Sequence, residues 1–210
     1  MFGTQNLSVF FVAAISLNLL PGANTLYIIS RSIDQGKKAG IVSVLGISTG
    51  SLLHTTTAAF GLSAILATSA MAFTIVKWIG AVYLIYLGIQ MFISDNSSED
   101  VSVTIEDKSL WKIYYQGILT NILNPKVALF FLAFLPQFVA PDSSHKVFSF
   151  LFLGCLFIIT STLWSLFLAL LSAKASLVVR SKNRLINITR KISGFIFVGL
   201  GIKLATEQAK

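Results

Sequence analysis

The sequence predicts an all-α integral membrane protein. We expect six transmembrane helices arranged as two inverted three-helix repeats, with the first and fourth helices broken. Three observations support this prediction. Only 11% of the 210 residues are charged and 55% are hydrophobic, whereas a soluble domain carries about a quarter charged residues. The hydrophobic residues fall into six runs, and proline interrupts the first and the fourth run at corresponding places in the two halves. The chain therefore belongs in a lipid bilayer.

The six runs differ in length. They cover residues 7–30, 40–68, 71–93, 117–139, 147–172 and 192–206. Crossing the hydrocarbon core takes about 20 apolar residues in a helix, and the sixth run is the shortest. No basic region precedes the first run, and no small-residue cleavage site follows it. We therefore expect the first run to be a retained span and not a signal peptide.

The first run is interrupted by Pro21 and Gly22, which lie between Asn18 and Asn24. Proline has no amide hydrogen to continue the helical ladder, and glycine loosens the next turn. A break inside a span is tolerated only where protein or a water-filled cavity receives the freed backbone groups. We therefore expect a broken helix whose interruption faces the interior of the protein.

The second run carries a stripe of small and polar residues. They recur every three or four positions, at Ser43, Gly46, Gly50, His54, Thr57 and Gly61. This spacing puts them on one helical face, where small side chains let another helix approach closely. His54 is a candidate for proton coupling because its unperturbed pKa lies near neutrality, and Asp34 in the preceding turn is a second candidate. The alternative for His54 is a simple hydrogen bond to a neighbouring helix.

The two halves of the chain resemble each other. Residues 77–89 align without a gap on residues 190–202, and Pro21 and Pro125 lie at matching positions. The longest polar segment lies between the halves. The predicted divisions are a first repeat at 1–93, a polar cytoplasmic linker at 94–116 and a second repeat at 117–210. Because three spans per repeat is an odd number, the second repeat is inverted in the membrane.

Lysine and arginine are distributed unevenly along the chain. The odd-numbered connections hold eleven of them near the span ends, and the even-numbered connections and the tails hold four. Because these residues are enriched in cytoplasmic loops, we expect both termini to face outward. The formal net charge of +8 is explained by this bias. A nucleic-acid partner is not expected, because the 17 phenylalanines lie mostly within the apolar runs.

The fourth run contains the second interruption, Asn124-Pro125, followed directly by Lys126. An unpaired ammonium inside a span costs at least ~2.5 kcal/mol. At the start of a helical segment, free amides and the helix dipole already favour an anion. A substrate carboxylate would therefore fit beside this ammonium. The alternative is that the lysine reaches an interface or donates to carbonyls freed by the proline.

Four asparagines flank the two interruptions, and each side-chain amide has both donors and acceptors. A zwitterion with an ammonium and a carboxylate needs both kinds of partner. The alternative for each asparagine is that it only satisfies backbone groups beside the break. Eight residues form the predicted substrate-binding site: Asn18, Pro21, Gly22, Asn24, Asn121, Asn124, Pro125 and Lys126.

Several functional classes have no support in the sequence. No Asp or Glu lies within the six runs, so the carboxylate relay common in proton-driven transporters is missing. The sequence has no glycine-rich phosphate loop, no zinc-binding helix motif and no paired catalytic carboxylates. Cys155 is the only cysteine, which excludes a cysteine-rich metal site. We therefore expect no enzymatic activity, no cofactor and no metal site.

The segments around both interruptions carry a resemblance to a known family. They include 20–24 (LPGAN), 36–40 (GKKAG), 45–50 (LGISTG), 117–126 (GILTNILNPK) and 134–138 (FLPQF). On these segments the chain resembles the LysE/RhtB amino-acid exporter family over nearly its whole length. The resemblance implies a bacterial inner-membrane protein with six spans that exports amino acids or close relatives, driven by the proton gradient. Ala23 stands where family members usually carry a second proline, so the unwinding at the first break should be smaller.

The resemblance implies an amino-acid substrate, and the predicted site has no acidic residue to pair with a cationic side chain. We therefore expect neutral substrates such as threonine, homoserine or a branched-chain amino acid. Two alternatives stay open. The stripe of small residues would also suit a membrane scaffold. The other alternative is an exporter of another small solute such as a metal cation, and the single cysteine and the lack of carboxylates within the runs argue against a metal. The expected partners are the amino acid and the bilayer, and a homo-oligomer also stays open.

Overall fold

The structure is a computed structural model of the chain. It describes residues 3–64, 109–140 and 143–175, together with single positions between 71 and 89 and between 198 and 202. Within these residues the fold is helical, and the one isolated bridge pairs Thr4 with Val139. Most of the third and sixth predicted runs, and most of the predicted 94–116 linker, lie outside the described residues.

Six α-helices are present in the described ranges. Their bounds are α1 Leu7–Leu19, α2 Ala23–Asp34, α3 Gly36–Thr57, α4 Leu110–Ile122, α5 Pro125–Leu129 and α6 Lys146–Ala175. Two of them continue in a different helical form. A π-helical turn at Ala58–Leu62 follows α3, whereas a π-helical turn at Phe130–Phe134 and a 3₁₀ turn at Leu135–Phe138 follow α5.

Two of these helices are long and apolar enough to cross a membrane without a break. They are α3 with its π-helical turn, Gly36–Leu62, and α6, Lys146–Lys174. Two helix pairs meet the same criterion when each pair counts as one span. The bend is 49° between α1 and α2 and 50° between α4 and α5. Both bends lie at the interruptions that the sequence predicts, so the described residues hold up to four of the six predicted spans.

The outer face of α6 is apolar. Ile159, Leu163 and Phe167 recur every four residues and are exposed on the surface of the bundle. The opposite face buries Leu153 and Phe157 among the other helices. An apolar surface of this kind is expected of a helix that contacts lipid.

The first break follows from the missing amide hydrogen of Pro21. In a continuous helix the carbonyl of Leu17 would accept from residue 21, and proline cannot donate. Leu20 takes an extended backbone (φ −70°, ψ 120°), and Gly22 is fully extended before α2 begins. Because Leu20 is buried, the freed carbonyls of this break need partners from the protein.

The second break has a different local chemistry. Asn124 takes an extended backbone (φ −76°, ψ 108°), and its Oδ1 accepts from the backbone N–H of Lys126 at 3.0 Å. Pro125 fills the first helical position, where its missing amide hydrogen is not needed. The break at Asn124 is therefore an end of α4 followed by a capped start of α5.

The helices run between two ends of the bundle: α3 and α4 are parallel to each other, because Gly46 lies against Gly117 and Gly50 against Asn121. At the end that we call the N-terminal end, the Ser149 hydroxyl of α6 donates to the carbonyl of Gly3 at 3.2 Å. At the opposite end α2 finishes at Asp34 and α4 begins. There the Tyr27 hydroxyl donates to the carbonyl of Ile113 at 2.7 Å. We call this the Asp34 end.

The buried apolar residues are divided unequally between the two ends. Toward the N-terminal end they include a phenylalanine cluster, formed by Phe10, Phe130, Phe131, Phe134, Phe138 and Phe157. Ring centroids within it are as close as 4.7 Å, between Phe130 and Phe157. Toward the Asp34 end a second and smaller cluster holds Ile28, Val44, Ile47 and Ala169. In the part of the chain that the structure describes, the apolar core is therefore larger toward the N-terminal end.

The stripe of small residues on α3 packs against α4 inside the chain. A Cβ on Gly46 would meet the carbonyl oxygen of Tyr114 and would lie 3.1 Å from the Cα of Gly117. A Cβ on Gly50 would lie 2.7 Å from the Cβ of Asn121, whereas one on Gly61 would have nothing within 4 Å. Because these glycines bring two backbones of one chain together, their part of the stripe is not free for a partner protein.

This packing gives a stability prediction. Gly46→Ala forces α3 and α4 apart against backbone atoms, so we expect it to destabilise the protein by about 1–3 kcal/mol. Gly61→Ala is the matched control, because its new methyl group enters open space. We expect the control to keep the apparent melting temperature of the detergent-solubilised protein and Gly46→Ala to lower it. Equal melting temperatures for the two variants would contradict the close approach.

Candidate functional site

The two interruptions lie against each other inside the bundle. The side-chain amide of Asn124 donates to Oδ1 of Asn24 at 3.1 Å. The ammonium of Lys126 donates to the backbone carbonyls of Leu20 at 2.9 Å and Leu17 at 3.1 Å. The second break is therefore joined to the first by one amide pair and one ammonium.

Lys126 compensates for the break at Pro21. The carbonyl of Leu17 has lost its helical donor, and the ammonium takes the place of the missing N–H. This is the arrangement in which the lysine satisfies carbonyls freed by the proline. An ammonium has three N–H donors, so one proton is left after these two bonds. Gly22 leaves room for the lysine, because a Cβ there would lie 3.3 Å from Nζ.

A cavity of about 30 Å³ lies between the two breaks and is lined by residues of all six described helices. The polar lining consists of Asn18, Asn24, Thr25, Ser51, Asn121, Lys126, Ser161 and Ser165. The apolar lining consists of Leu17, Ile47, Val127, Phe157 and Trp164. Among these residues there is one cation and no carboxylate.

The size of this cavity limits what it can hold as the structure stands. A volume of about 30 Å³ is enough for one or two water molecules. Pockets for small organic ligands are about 300–1,000 Å³. Binding of a ligand as large as an amino acid therefore requires the surrounding helices to move apart.

Two buried polar atoms of the lining have no hydrogen-bond partner in the described part of the chain. They are Oδ1 of Asn121 and Nε1 of Trp164. The other side of the Asn121 amide donates to the Ser51 hydroxyl at 3.3 Å. An unpaired buried polar group costs about 1–3 kcal/mol. Polar atoms left unpaired beside a cavity are candidates for contact with a ligand.

The electrostatics of the lining favour an anion. Asn24 and Thr25 belong to the first turn of α2, where backbone N–H groups and the positive end of the helix dipole lie. The ammonium of Lys126 adds a full positive charge on the same cavity. A carboxylate could accept from the third proton of the lysine, and the hydroxyls and amides around it could accept from an ammonium.

The eight residues predicted to bind substrate divide into two groups. Four of them line the cavity: Asn18, Asn24, Asn121 and Lys126. The other four shape the breaks: Pro21, Gly22, Asn124 and Pro125. Among the lining residues, Asn18 also donates to the Thr160 hydroxyl at 3.4 Å, which joins α1 to α6.

The two candidates for proton coupling lie outside the lining. His54 Nε2 is 3.4 Å from the carbonyl oxygen of Asn121, and its ring stacks on Phe131 with centroids 5.5 Å apart. Asp34 is exposed at the end of α2, ten residues from Asn24 and thus about 15 Å along the helix. The structure therefore brings His54 to the second break and keeps Asp34 away from it.

Sequence reasoning missed the contribution of α6. Trp164 lies between Ser161 and Ser165 on the face of α6 that lines the cavity. The spacing of these three residues was available as a signal, because positions three and four apart share a helical face. A tryptophan inside an apolar run does not stand out, however, and its unpaired indole N–H is visible only in three dimensions.

The family comparison matches almost the whole chain. A family model described as LysE type translocator matches residues 15–208. No solved structure matches the chain.

Three similar proteins match this chain over nearly the full length of both sequences. A Bacillus subtilis protein named uncharacterized membrane protein YrhP is 32% identical, over 95% of this chain and 98% of that protein. A Salmonella typhimurium protein named leucine efflux protein is 29% identical, over 99% of this chain and 98% of that protein. A Vibrio cholerae protein named uncharacterized membrane protein is 32% identical, over 95% of this chain and 96% of that protein.

The contact between the two breaks can be tested by cross-linking. With the free and exposed Cys155 replaced by serine, we expect a short bismaleimide reagent to cross-link the pair Asn24→Cys and Asn124→Cys. The reason is that the native side chains hydrogen-bond at 3.1 Å, so the two thiols lie close enough for a short cross-linker to span. Cleavage in the 94–108 segment and a denaturing gel then show whether the two halves stay joined.

The pair Asp34→Cys and Asn124→Cys is the control for this experiment, because Asp34 lies about 15 Å further along α2. We expect the control pair to separate into two fragments. Equal cross-linking of both pairs, or of neither, would contradict the described contact.

Proposed function

The chain belongs to the family of LysE type translocators, and from this premise we propose that it exports a neutral amino acid with an apolar side chain, such as leucine. Membership makes the protein a membrane transporter rather than an enzyme. One observation carries the proposal. The two broken spans, together with α3 and α6, line a cavity with a single ammonium, several amides and hydroxyls, and an apolar wall.

The charge of the lining supports a neutral amino acid. The substrate carboxylate would accept from Lys126 and from Nε1 of Trp164, which has no partner among the described residues. The substrate ammonium would donate to amide and hydroxyl oxygens, including Oδ1 of Asn121. A cationic side chain would lack a carboxylate partner in this lining, and an unpaired buried charge is strongly unfavourable.

The apolar wall supports a branched-chain substrate. Leu17, Ile47, Val127 and Phe157 line the same cavity as the polar groups. Such a wall would receive an aliphatic side chain through burial of apolar surface, worth about 0.8 kcal/mol per CH₂ group. A relative that matches nearly the full length of this chain is named leucine efflux protein, which agrees with this choice.

Transport would proceed by alternating access. The cavity of about 30 Å³ must widen to admit an amino acid, and the bends at the two breaks are natural places for the spans to move. In our proposal the inverted repeats at 1–93 and 117–210, joined by the 94–116 linker, rock around this site. The membrane is the bacterial inner membrane, with the Asp34 end in the cytoplasm and both termini outward.

Two other functions have less support. A scaffold role was suggested by the small-residue stripe, and from Gly46 to Gly50 that stripe packs within the chain. A metal-cation exporter would need clustered ligands, and the described residues contain no group of three His, Cys, Asp or Glu that could hold a metal.

The transport proposal is tested with purified protein in proteoliposomes. We expect wild-type protein to catalyse leucine counterflow, and we expect excess valine or isoleucine, but not lysine or glutamate, to compete. Lys126→Ala and Asn24→Ala should lower the rate at least about tenfold, because charged and buried hydrogen bonds contribute about 1.5–3 kcal/mol.

Lys146→Ala is the matched control. Its ammonium also donates to a backbone carbonyl, that of Ser143 at 3.1 Å, but it lies at the start of α6 away from the cavity. It should transport at the wild-type rate. Wild-type counterflow by a well-inserted Lys126→Ala protein would remove the lysine from the site, and no counterflow by the wild-type protein would reject leucine as substrate.

Coupling to protons is tested separately from binding. If His54 carries the proton, His54→Gln should keep leucine counterflow and lose its acceleration by an imposed pH gradient. Asp34→Asn is the parallel test of the other candidate. Gradient-driven transport that survives in both variants would show that neither residue couples the proton.

A further inference from the structure

A second buried cation lies on α2, between the cavity and the Asp34 end. The side chain of Arg31 is 3% exposed. Its Nη1 donates to Oε1 of Gln35 at 3.1 Å, and its Nη2 donates to Oε1 of Gln116 at 3.3 Å. The guanidinium also lies 5.7 Å from the centre of the Tyr27 ring. Counting basic residues along the sequence places Arg31 in a connection, whereas the structure buries it inside the bundle.

The charge of Arg31 is incompletely matched. Both of its hydrogen-bond acceptors are neutral amide oxygens, and its Nε is buried without a partner among the described residues. The carboxylate of Asp34 interacts electrostatically with Arg31, but it is exposed at the helix end, where solvent and salt weaken the attraction. A guanidinium presents five donors in a planar fork that suits a carboxylate, and the bidentate pair is stronger than bonds to neutral oxygens. Arg31 therefore has an unpaired N–H donor and a positive charge with which it could bind an anion.

Arg31 lies in line with the cavity. Asn24, Ile28 and Arg31 are spaced by four and three residues, which puts them on one face of α2. Asn24 lines the cavity, and seven residues separate it from Arg31, or about 10 Å along the helix axis. The partner Gln116 belongs to α4, the helix that contributes Asn121 to the cavity. A ligand that leaves the cavity along these two helices would pass the buried Ile28 and then reach Arg31.

The described packing favours a route in this direction. Toward the N-terminal end the phenylalanine cluster lies beside the cavity, and one of its members, Phe157, is part of the cavity wall. Toward the Asp34 end the apolar cluster has only four buried members, and polar side chains stand beside it. Among the described residues, opening the Asp34 end therefore separates fewer buried apolar side chains than opening the N-terminal end.

We propose that Arg31 is a loading site for the substrate carboxylate on the Asp34 side of the cavity. The incoming carboxylate would replace Oε1 of Gln35 and Gln116 and accept from the guanidinium, before it passes on to Lys126. This inference rests on the proposed export of amino acids. The competing role for Arg31 is a structural brace between α2 and α4.

The test measures leucine affinity at each face of the membrane. Inside-out vesicles present the cytoplasmic face and right-side-out vesicles present the outer face. For Arg31→Gln we expect the half-saturating leucine concentration at the cytoplasmic face to rise at least tenfold, and the value at the outer face to change less than threefold. Arg31→Lys keeps the charge but loses the planar fork, so it should give an intermediate rise and covers the case in which Arg31→Gln does not insert.

Two controls separate a loading site from a brace. Inhibition by leucinamide, which has no carboxylate, should be the same in wild type and in the Arg31 variants, because only the carboxylate meets the guanidinium. Lys112→Gln removes an exposed cation at the same end of the bundle and should change neither affinity. Equal shifts at both faces, a parallel shift for leucinamide, or no shift would overturn the loading site. Failure of the wild-type protein to transport leucine would instead reject the proposed function.

Discussion

The architecture depends on one polar contact, the ammonium of Lys126 against the carbonyls of Leu17 and Leu20. A proline inside a membrane span frees a carbonyl that lipid cannot satisfy. A lysine inside a span has a charge that lipid cannot solvate. Because the two breaks lie side by side, the ammonium donates to the freed carbonyls, and these carbonyls in turn stabilise its charge. The cavity exists where they meet, since backbone at a break cannot pack as closely as continuous helices.

In this arrangement the two sides of the cavity differ in their surroundings. Among the described residues, the phenylalanine cluster lies on the N-terminal side of the cavity, whereas fewer buried apolar residues and the buried Arg31 lie on the Asp34 side. A polar ligand would enter and leave more readily past polar groups than through an aromatic cluster. The bends of 49° and 50° at the two breaks provide the places where half-spans can move without unwinding a continuous helix.

Particular residues show how far sequence reasoning reached. The breaks at Pro21 and Pro125 were predictable, because a missing amide hydrogen acts on its own helix. The cap by Asn124 follows from the same local chemistry. The sequence left two roles open for Lys126, contact with a substrate and contact with backbone carbonyls. The structure shows the carbonyl contacts, and one ammonium proton has no partner among the described residues. Trp164 was missed and Arg31 was assigned to a connection, because their significance depends on which atoms other helices bring to them.

The sequence by itself determined that the chain spans a membrane, where its helices break and which family it resembles. Hydropathy, proline and local capping are properties of neighbouring residues, so they can be read along one dimension. Only the tertiary structure decided that the two breaks touch, that α3 packs on α4 through glycine, and that Trp164 lines a cavity with an indole N–H that has no partner among the described residues. Those facts depend on distances between residues far apart in the chain, which periodicity and composition do not contain.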